Sequence, residues 1–204
     1  SDGVFGTKDD ITAVTYTGTG GYYEFKDLDA GKYQLVFGDG SNAGWYVTKK
    51  DQGTNDGKDS DINADGSTDV ITLAAGEQKM TVDAGAYRKA SVGDKVFEDW
   101  NHNNVQDVGE QGIGGITVKL MDATGTTVLG TTTTNSNGNY LFANLDPGTY
   151  VLQFDKTNVS YYSVHWNGTY NMSTWKWAVQ NAGSDDSIDS DVAGDAVSTT
   201  NVTK

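Results

Sequence analysis

Two stretches of the chain alternate apolar and polar residues in the same order. Residues 21–37 read GYYEFKDLDAGKYQLVF and residues 138–154 read GNYLFANLDPGTYVLQF, with nine of the seventeen positions identical. Side chains at every second position share one face of a strand, so each copy predicts a β-hairpin with one buried face and a turn at LDAG or LDPG. The chain therefore contains an internal repeat.

The rest of the chain also predicts short strands, and no stretch has helical apolar periodicity over three turns. The segments VGDKVF at 92–97 and ITVKLMD at 116–122 alternate like strands, and residues 70–87 predict another hairpin with AAGE at its turn. Twenty-six glycines and a single proline fit many tight turns. We expect an all-β chain of two tandem immunoglobulin-like β-sandwiches, residues 1–88 and 89–204, joined at RKAS.

The segment DWNHNNVQDVGE at 99–110 has the ligand spacing of a calcium loop. Calcium takes six to eight hard oxygen ligands, and a coiled loop turns alternate residues toward one point. The predicted ligands at positions 1, 3, 5, 7, 9 and 12 are Asp99, Asn101, Asn103, the carbonyl of Val105, Asp107 and Glu110. The alternative is an Asp/Asn-rich turn that holds no ion.

Two features separate this loop from a helical calcium hand. Position 6 is Asn104 instead of the usual glycine, and asparagine is among the few other residues that tolerate positive φ. Strand-like segments flank the loop on both sides, so we expect it to lie between strands. The first repeat starts after the corresponding position; we expect it to lack a calcium loop and some strands, or to borrow strands from another chain by edge pairing.

An acidic block also recurs, as NDGKDSDINADG at 55–66 and DDSIDSDVAGDA at 185–196. Clustered carboxylates repel one another unless cations neutralise them, so a second calcium position in each repeat is one interpretation. A solvated acidic loop is the other. The carboxylates that recur are Asp56, Asp59, Asp61 and Asp65 in the first copy, and Asp186, Asp189, Asp191 and Asp195 in the second.

Composition narrows the classes of function. The net charge is −14 with 28 acidic and 14 basic residues, which argues against nucleic-acid or anionic-membrane binding. The chain has no cysteine, so its domains must be stabilised by packing or by bound metal and not by disulfides. No apolar run near 18 residues and no signal peptide are present, and we expect a fragment of a larger exported protein, without membrane insertion.

The segment 158–178 is rich in aromatic residues and amides. The second repeat has 31 residues between Phe154 and Asp186, where the first has 18 between Phe37 and Asp56. Rings with interleaved amides suit stacking on a glycan or recognition of a peptide. The alternative, which alternation favours, is that Tyr162/Val164/Trp166 and Trp175/Trp177 form a buried face. The candidate ligand-binding rings are Tyr162, Trp166, Tyr170, Trp175 and Trp177.

The run SVGDKVFEDWNHNNVQDVGEQGIGGITVKLMD, with TTTTNSNGNYLFANLDPGTYVLQF and GTNDGKDSDIN, resembles the calcium-binding B-type repeats of bacterial serine-aspartate repeat surface adhesins, relatives of the collagen-adhesin B repeat. The resemblance implies a transthyretin-like sandwich arranged in tandem as a stalk, with calcium rigidifying the rod. It also implies that Asp59/Asp61 and Asp189/Asp191 match the family's DSD motif.

These observations predict a calcium-binding structural repeat, a rigid spacer on the bacterial cell surface whose partners are neighbouring repeats. The alternative is a ligand-binding module in which the aromatic loop 158–178 engages a host or matrix glycan or protein. An enzyme has no support, because no set of nucleophile, base and orienting group is visible.

Overall fold

The computed structural model describes residues 10–38, 44–182, 184, 188 and 190–192, and the backbone of residues 197–203. The chain divides into two compact units, Ser1–Arg88 and Lys89–Lys204. The described residues form strands and one 3₁₀ turn, with no α-helix among them. The prediction of an all-β fold is confirmed.

The described residues of the first unit form four short strands in two antiparallel pairs. They are β1 (Gly31–Tyr33), β2 (Trp45–Val47), β3 (Ile71–Leu73) and β4 (Ala86–Arg88). β1 pairs with β3 and β2 pairs with β4. The hairpin predicted at 70–87 is therefore wrong, because its two strands, β3 and β4, pair with different partners.

In the second unit, the part of the chain that the structure describes forms eight strands and the 3₁₀ turn Met172–Thr174. The strands are β5 (Ala90–Lys95), β6 (Thr117–Met121), β7 (Val128–Thr133), β8 (Asn139–Leu145), β9 (Thr149–Asp155), β10 (Ser160–Ser163), β11 (Gly168–Asn171) and β12 (Val197–Thr203). A four-stranded sheet runs in the order β12-β9-β6-β7, β5 pairs with β8, and β10 pairs with β11.

The core of the second unit lies between the four-stranded sheet and the β5–β8 pair. The four-stranded sheet contributes the buried side chains of Leu120 on β6 and Leu152 on β9. Val92 on β5 and Phe142 on β8 pack against the same core from the β5–β8 pair. Two sheets that enclose one apolar layer form a β-sandwich. The strand faces that alternation predicted to be buried supply this layer.

Neither LDAG nor LDPG closes a hairpin: residues 21–30, up to and including most of LDAG, contain no strand, and LDPG connects strands of two different sheets. β8 pairs with β5, whereas β9 pairs with β6 and β12, so the chain crosses the sandwich between them. The hairpin prediction is wrong here because alternation reveals which face of a strand is buried but not which strand lies beside it. The ring of Tyr140 packs edge-on against Phe154 across the core, and Tyr23 packs in the same way against Phe37 in the first unit.

Candidate metal centre

The loop at 99–110 begins and ends at a short neck of paired backbone. The N–H of Glu98 donates to the carbonyl of Gln111 over 2.8 Å, and Phe97 forms an antiparallel bridge with Gly112. The neck brings the first and last predicted ligand positions together, as a loop that closes round an ion requires. The loop is therefore framed by extended chain and not by helices.

Two glycines allow the turn at 135–138 to pack directly on this neck. A Cβ at Gly112 would lie 1.8 Å from the carbonyl oxygen of Asn137. One at Gly138, where φ is +81°, would lie 2.2 Å from the carbonyl oxygen of Val96. No side chain fits at either position unless the backbone moves, so the neck is held from outside the loop as well as from within.

Inside the loop, alternate side chains turn toward one another. Asp99 accepts hydrogen bonds from the backbone N–H groups of Asn103 (3.2 Å) and Asn104 (2.9 Å). The side-chain amides of Asn101 and Asn103 both donate to Oδ2 of Asp107, each over 2.7 Å. Four side chains that the spacing named as ligands therefore meet in one hydrogen-bonded network.

Glu110 closes this network from the buried side. Only 5% of its surface is exposed; Oε1 accepts from the N–H of Trp100 (3.2 Å) and Oε2 from the N–H of Asp107 (3.0 Å). Burial raises the pKa of the Glu110 carboxyl, the two N–H groups lower it, and the charges of Asp99 and Asp107 raise it further. The ionised carboxylate is thus held in a place where a cation would relieve its cost.

The donor groups fit a calcium ion. Each predicted ligand offers a hard oxygen, the type that Ca²⁺ prefers. The amides of Asn101 and Asn103 now point their nitrogen atoms at Asp107, and rotation about the last side-chain bond exchanges nitrogen for oxygen. Val105 is fixed by its N–H, which donates to Oδ1 of Asn103 over 2.9 Å.

The backbone at position 6 has the conformation that the spacing requires. Asn104 has φ of 65°, in the left-handed region, and its N–H is the group that donates to Asp99. His102, at position 4, has φ of 59°. Asparagine occupies this region more readily than most residues, which explains how the loop coils without the usual glycine.

A second acidic cluster lies in the first unit. Asp56, Asp59 and Asp61 each place a carboxylate oxygen within 4.8 Å of the others. Burial raises the pKa of Asp61, the backbone N–H of Asp83 lowers it, and the charges of Asp56, Asp83 and Asp59 raise it again. Such a cluster carries three like charges at close range and offers oxygen ligands to a cation.

Sequence patterns missed Asp83, which belongs to this cluster through two backbone contacts. Its N–H donates to Oδ2 of Asp61 over 2.6 Å, and its carbonyl accepts from the N–H of Asp61 over 2.8 Å. Asp65 lies outside the cluster of three; its carboxylate accepts from the N–H (2.9 Å) and the hydroxyl (2.7 Å) of Ser67, and these bonds lower its pKa.

The backbone arrangement around the first DSD motif recurs in the second unit. Ser60 forms a parallel bridge with Lys50, and Ser190 forms one with Gln180. Burial raises the pKa of Tyr140, and the charges of Asp94 and then Asp191 raise it further, as burial and the charges of Asp83 and Asp61 do for the pKa of Tyr23. The remaining predicted ligands of that block, Asp186, Asp189 and Asp195, lie outside the described residues.

The candidate ligand-binding rings fall into two groups. Trp175 and Trp177 pack against the core, and the ring of Trp177 lies 6.1 Å from that of Phe154. Tyr162 and Trp166, on and beside β10, remain about half exposed, and Tyr170 on β11 is 37% exposed. The interpretation of Tyr162, Val164 and Trp166 as a buried face is therefore wrong.

Glu98, a residue that the sequence did not single out, determines which alternate side chains of β10 are buried. Glu98 is 1% exposed and accepts hydrogen bonds from the hydroxyls of Tyr161 (3.0 Å) and Ser163 (2.6 Å). A buried carboxylate needs such donors, so Tyr161 and Ser163 turn inward and their neighbours turn out. Its place directly before Asp99 ties this strand to the loop at 99–110. No helix in the described part of the chain has the length and apolar character to cross a membrane.

Comparison with known proteins gives a consistent result. The family model described as "SdrD B-like domain" matches residues 4–86 and 90–204. Serine-aspartate repeat-containing protein F of Staphylococcus epidermidis is 37% identical over 147 residues, which is 72% of this chain and 8% of that protein.

Two further relatives carry similar names. Serine-aspartate repeat-containing protein I of Staphylococcus saprophyticus is 41% identical over 141 residues, or 67% of this chain and 7% of that protein. Serine-aspartate repeat-containing protein D of Staphylococcus aureus (strain Newman) is 39% identical over 147 residues, or 72% of this chain and 11% of that protein. The matched region thus spans about a tenth or less of each relative.

Proposed function

The chain belongs to the SdrD B-like domain family, and from this we propose that it is a calcium-binding structural repeat of a bacterial cell-surface adhesin. In this proposal Ca²⁺ stabilises and stiffens tandem sandwiches that act as a spacer outside the cell. The partners are neighbouring repeats of the same protein. The role is mechanical and not enzymatic.

The observation that carries the proposal is the convergence of the loop at 99–110. Asp99, Asn101, Asn103 and Asp107 meet in one network, and the buried Glu110 closes it with both oxygens fixed by backbone N–H groups. A solvated turn has no need to bury a carboxylate beside two others. The cluster of Asp56, Asp59 and Asp61 supports a second cation position, in the first unit.

Calcium would stabilise the fold because the unfolded chain does not hold these oxygens together. Binding to the folded state alone adds RT ln(1 + [Ca²⁺]/Kd) to the free energy of unfolding. Extracellular calcium modules commonly bind with Kd of about 10⁻⁴ to 10⁻³ M, so calcium at about 1 mM outside a cell would occupy each site by about half or more. A chain without cysteine has no disulfide to do this work.

Thermal unfolding in calcium and in EDTA tests the proposal. About 2 mM Ca²⁺ lies above that Kd range, so the unfolding midpoint should rise and the hydrodynamic radius should become larger or more uniform. Magnesium at the same concentration is the control, since its strict octahedral geometry suits this loop poorly. A midpoint that calcium leaves unchanged would contradict the proposal.

A second function, recognition of a neutral glycan or a peptide, is favoured by one observation. Residues 157–184 contain no Asp or Glu, in a chain with 28 acidic residues, and they carry the exposed rings of Tyr162, Trp166 and Tyr170. Trp166→Ala should abolish binding in a glycan array without loss of stability, whereas Trp175→Ala should lower the stability. An array with no Trp166-dependent ligand would remove this second function.

A further inference from the structure

Asn104 does more than permit the coil of the loop. Its side-chain Oδ1 accepts a hydrogen bond from the backbone N–H of Val179 over 2.8 Å, across 75 residues of sequence. Its own N–H donates to Asp99 over 2.9 Å. One residue thus contacts the first predicted calcium ligand with its backbone and a distant segment with its side chain.

The segment that Asn104 holds is connected to two other parts of the second unit. Two residues before Val179, the ring of Trp177 packs on Phe154 in the core. One residue after it, Gln180 pairs with Ser190 and its side-chain amide donates to the carbonyl of Asp191 over 3.0 Å. A displacement at Val179 would therefore move both the core edge and the backbone of the second DSD motif.

Glycine at this position would lack the contact. It adopts positive φ at least as readily as asparagine, so the conformation of the loop alone does not require a side chain here. His102 shows the contrast: it also has positive φ in the same loop, with no comparable bond to a distant segment among the described residues. The long-range hydrogen bond is the property that asparagine adds.

We propose that Asn104 is a positioning residue that ties the calcium loop to the Trp177–Gln180 segment, so that a cation in the loop orders this segment. The second half of the statement rests on the proposed calcium binding. Because the N–H of Asn104 donates to Asp99 and its Oδ1 accepts from Val179, a cation held by Asp99 would restrict Asn104 and, through it, Val179. The tether itself exists whether or not the loop is filled.

Amide hydrogen exchange of the full chain, followed residue by residue by NMR in EDTA and in saturating calcium, tests the proposal. In Asn104→Gly, the Val179 amide should exchange about two- to tenfold faster than in wild type in EDTA, the factor that one net hydrogen bond supplies. Calcium should slow this amide in wild type and no longer do so in Asn104→Gly. The calcium affinity of Asn104→Gly should be unchanged or tighter, because glycine favours the same φ.

Two further variants separate the tether from a general effect on folding. Asn104→Asp keeps an acceptor oxygen and tolerates positive φ, so it should restore the slow exchange of Val179. His102→Gly changes the loop backbone without touching the bond and should leave Val179 as in wild type. The core amides of Val118 on β6 and Leu152 on β9 are internal controls that should keep their protection in Asn104→Gly.

The proposal fails if Val179 keeps its wild-type exchange rate and calcium response in Asn104→Gly, or if Asn104→Asp does not restore them. A wild-type chain that binds no calcium would refute the proposed function but not the tether. The comparison of Asn104→Gly with wild type in EDTA would still decide whether Asn104 holds Val179.

Discussion

Replacement of Glu110 by Gln removes the carboxylate that closes the proposed calcium loop at 99–110 while the size of the side chain is kept. Both oxygens of Glu110 accept backbone N–H groups, from Trp100 and from Asp107. The side-chain amide introduced in Glu110→Gln would turn an NH₂ group toward one of these donors. One buried N–H without an acceptor costs about 1–3 kcal/mol, so the midpoint in EDTA should fall. The calcium effect must therefore be measured within each variant, as the difference between calcium and EDTA.

The size of that difference follows from mass action. With Kd of about 10⁻⁴ to 10⁻³ M and about 2 mM Ca²⁺, one site adds about 0.6–1.8 kcal/mol to the free energy of unfolding. For a unit of the length of Lys89–Lys204, this corresponds to a rise in midpoint of about 3–7 °C. A tenfold loss of affinity in Glu110→Gln would reduce this gain about three- to sixfold.

Differential scanning calorimetry with and without calcium measures both the midpoint in EDTA and the calcium-dependent rise in midpoint. Asp94→Asn is the matched control, because it removes one acidic charge from an exposed position on β5 in the same unit, outside the loop. Its calcium-dependent rise should equal that of wild type. If Glu110→Gln kept the full wild-type rise, the account of Glu110 as a calcium ligand would be refuted.

The remaining predictions concern the acidic cluster, the buried tyrosine and a buried threonine. The double variant Asp59→Asn/Asp61→Asn should stabilise the first unit in EDTA, because like charges are removed. In calorimetry it should also abolish the calcium-dependent rise in the unfolding midpoint of that unit. Asp65→Asn should leave this rise intact, and the reverse pattern would contradict the assignment. Burial and the bond to Glu98 raise the pKa of Tyr161 above its ordinary 10.0, so the folded state keeps this proton to higher pH than the unfolded state does. Stability should therefore fall as the pH rises above about 10, and urea unfolding of Tyr161→Phe should lose about one proton of that slope; an unchanged slope would contradict the assignment. The Thr134 hydroxyl accepts from the N–H of Ile116 (2.9 Å) and donates to the carbonyl of Ile113 (2.7 Å). Thr134→Val should therefore lower the free energy of unfolding by about 2–4 kcal/mol, and Thr134→Ser should retain most of it. A smaller loss in Thr134→Val would mean that the two backbone groups find other partners.

The sequence was most informative where the chemistry is local. Five predicted ligands of the loop stand at every second position and the sixth, Glu110, follows three positions later, so their spacing alone indicated that they would converge. The fold adds the reason, since the neck at Phe97 and Gly112 and the turn at 135–138 hold the ends of the loop together. Strands on either side of the loop were also predictable, because their alternation is a local property.

Contacts between distant residues were not predictable in the same way. Alternation indicated the buried faces of β8 and β9 but assigned these strands to one hairpin, whereas they lie in two sheets. Alternation assigned Tyr162 and its alternate neighbours to the buried face of β10. The hydrogen bond between Glu98 and Tyr161, which spans 63 residues, instead turns Tyr161 inward and Tyr162 outward. Asp83 joins Asp61 across 22 residues in the same manner.

A crystal structure of the full chain grown in calcium chloride is the most direct test of the central claim. We predict an ion in the loop within about 2.3–2.6 Å of oxygen atoms from Asp99, Asn101, Asn103, Val105, Asp107 and Glu110, with the two Asn amides turned so that oxygen faces the ion. A loop that keeps the amide-to-Asp107 hydrogen bonds and contains no ion at millimolar calcium would contradict it.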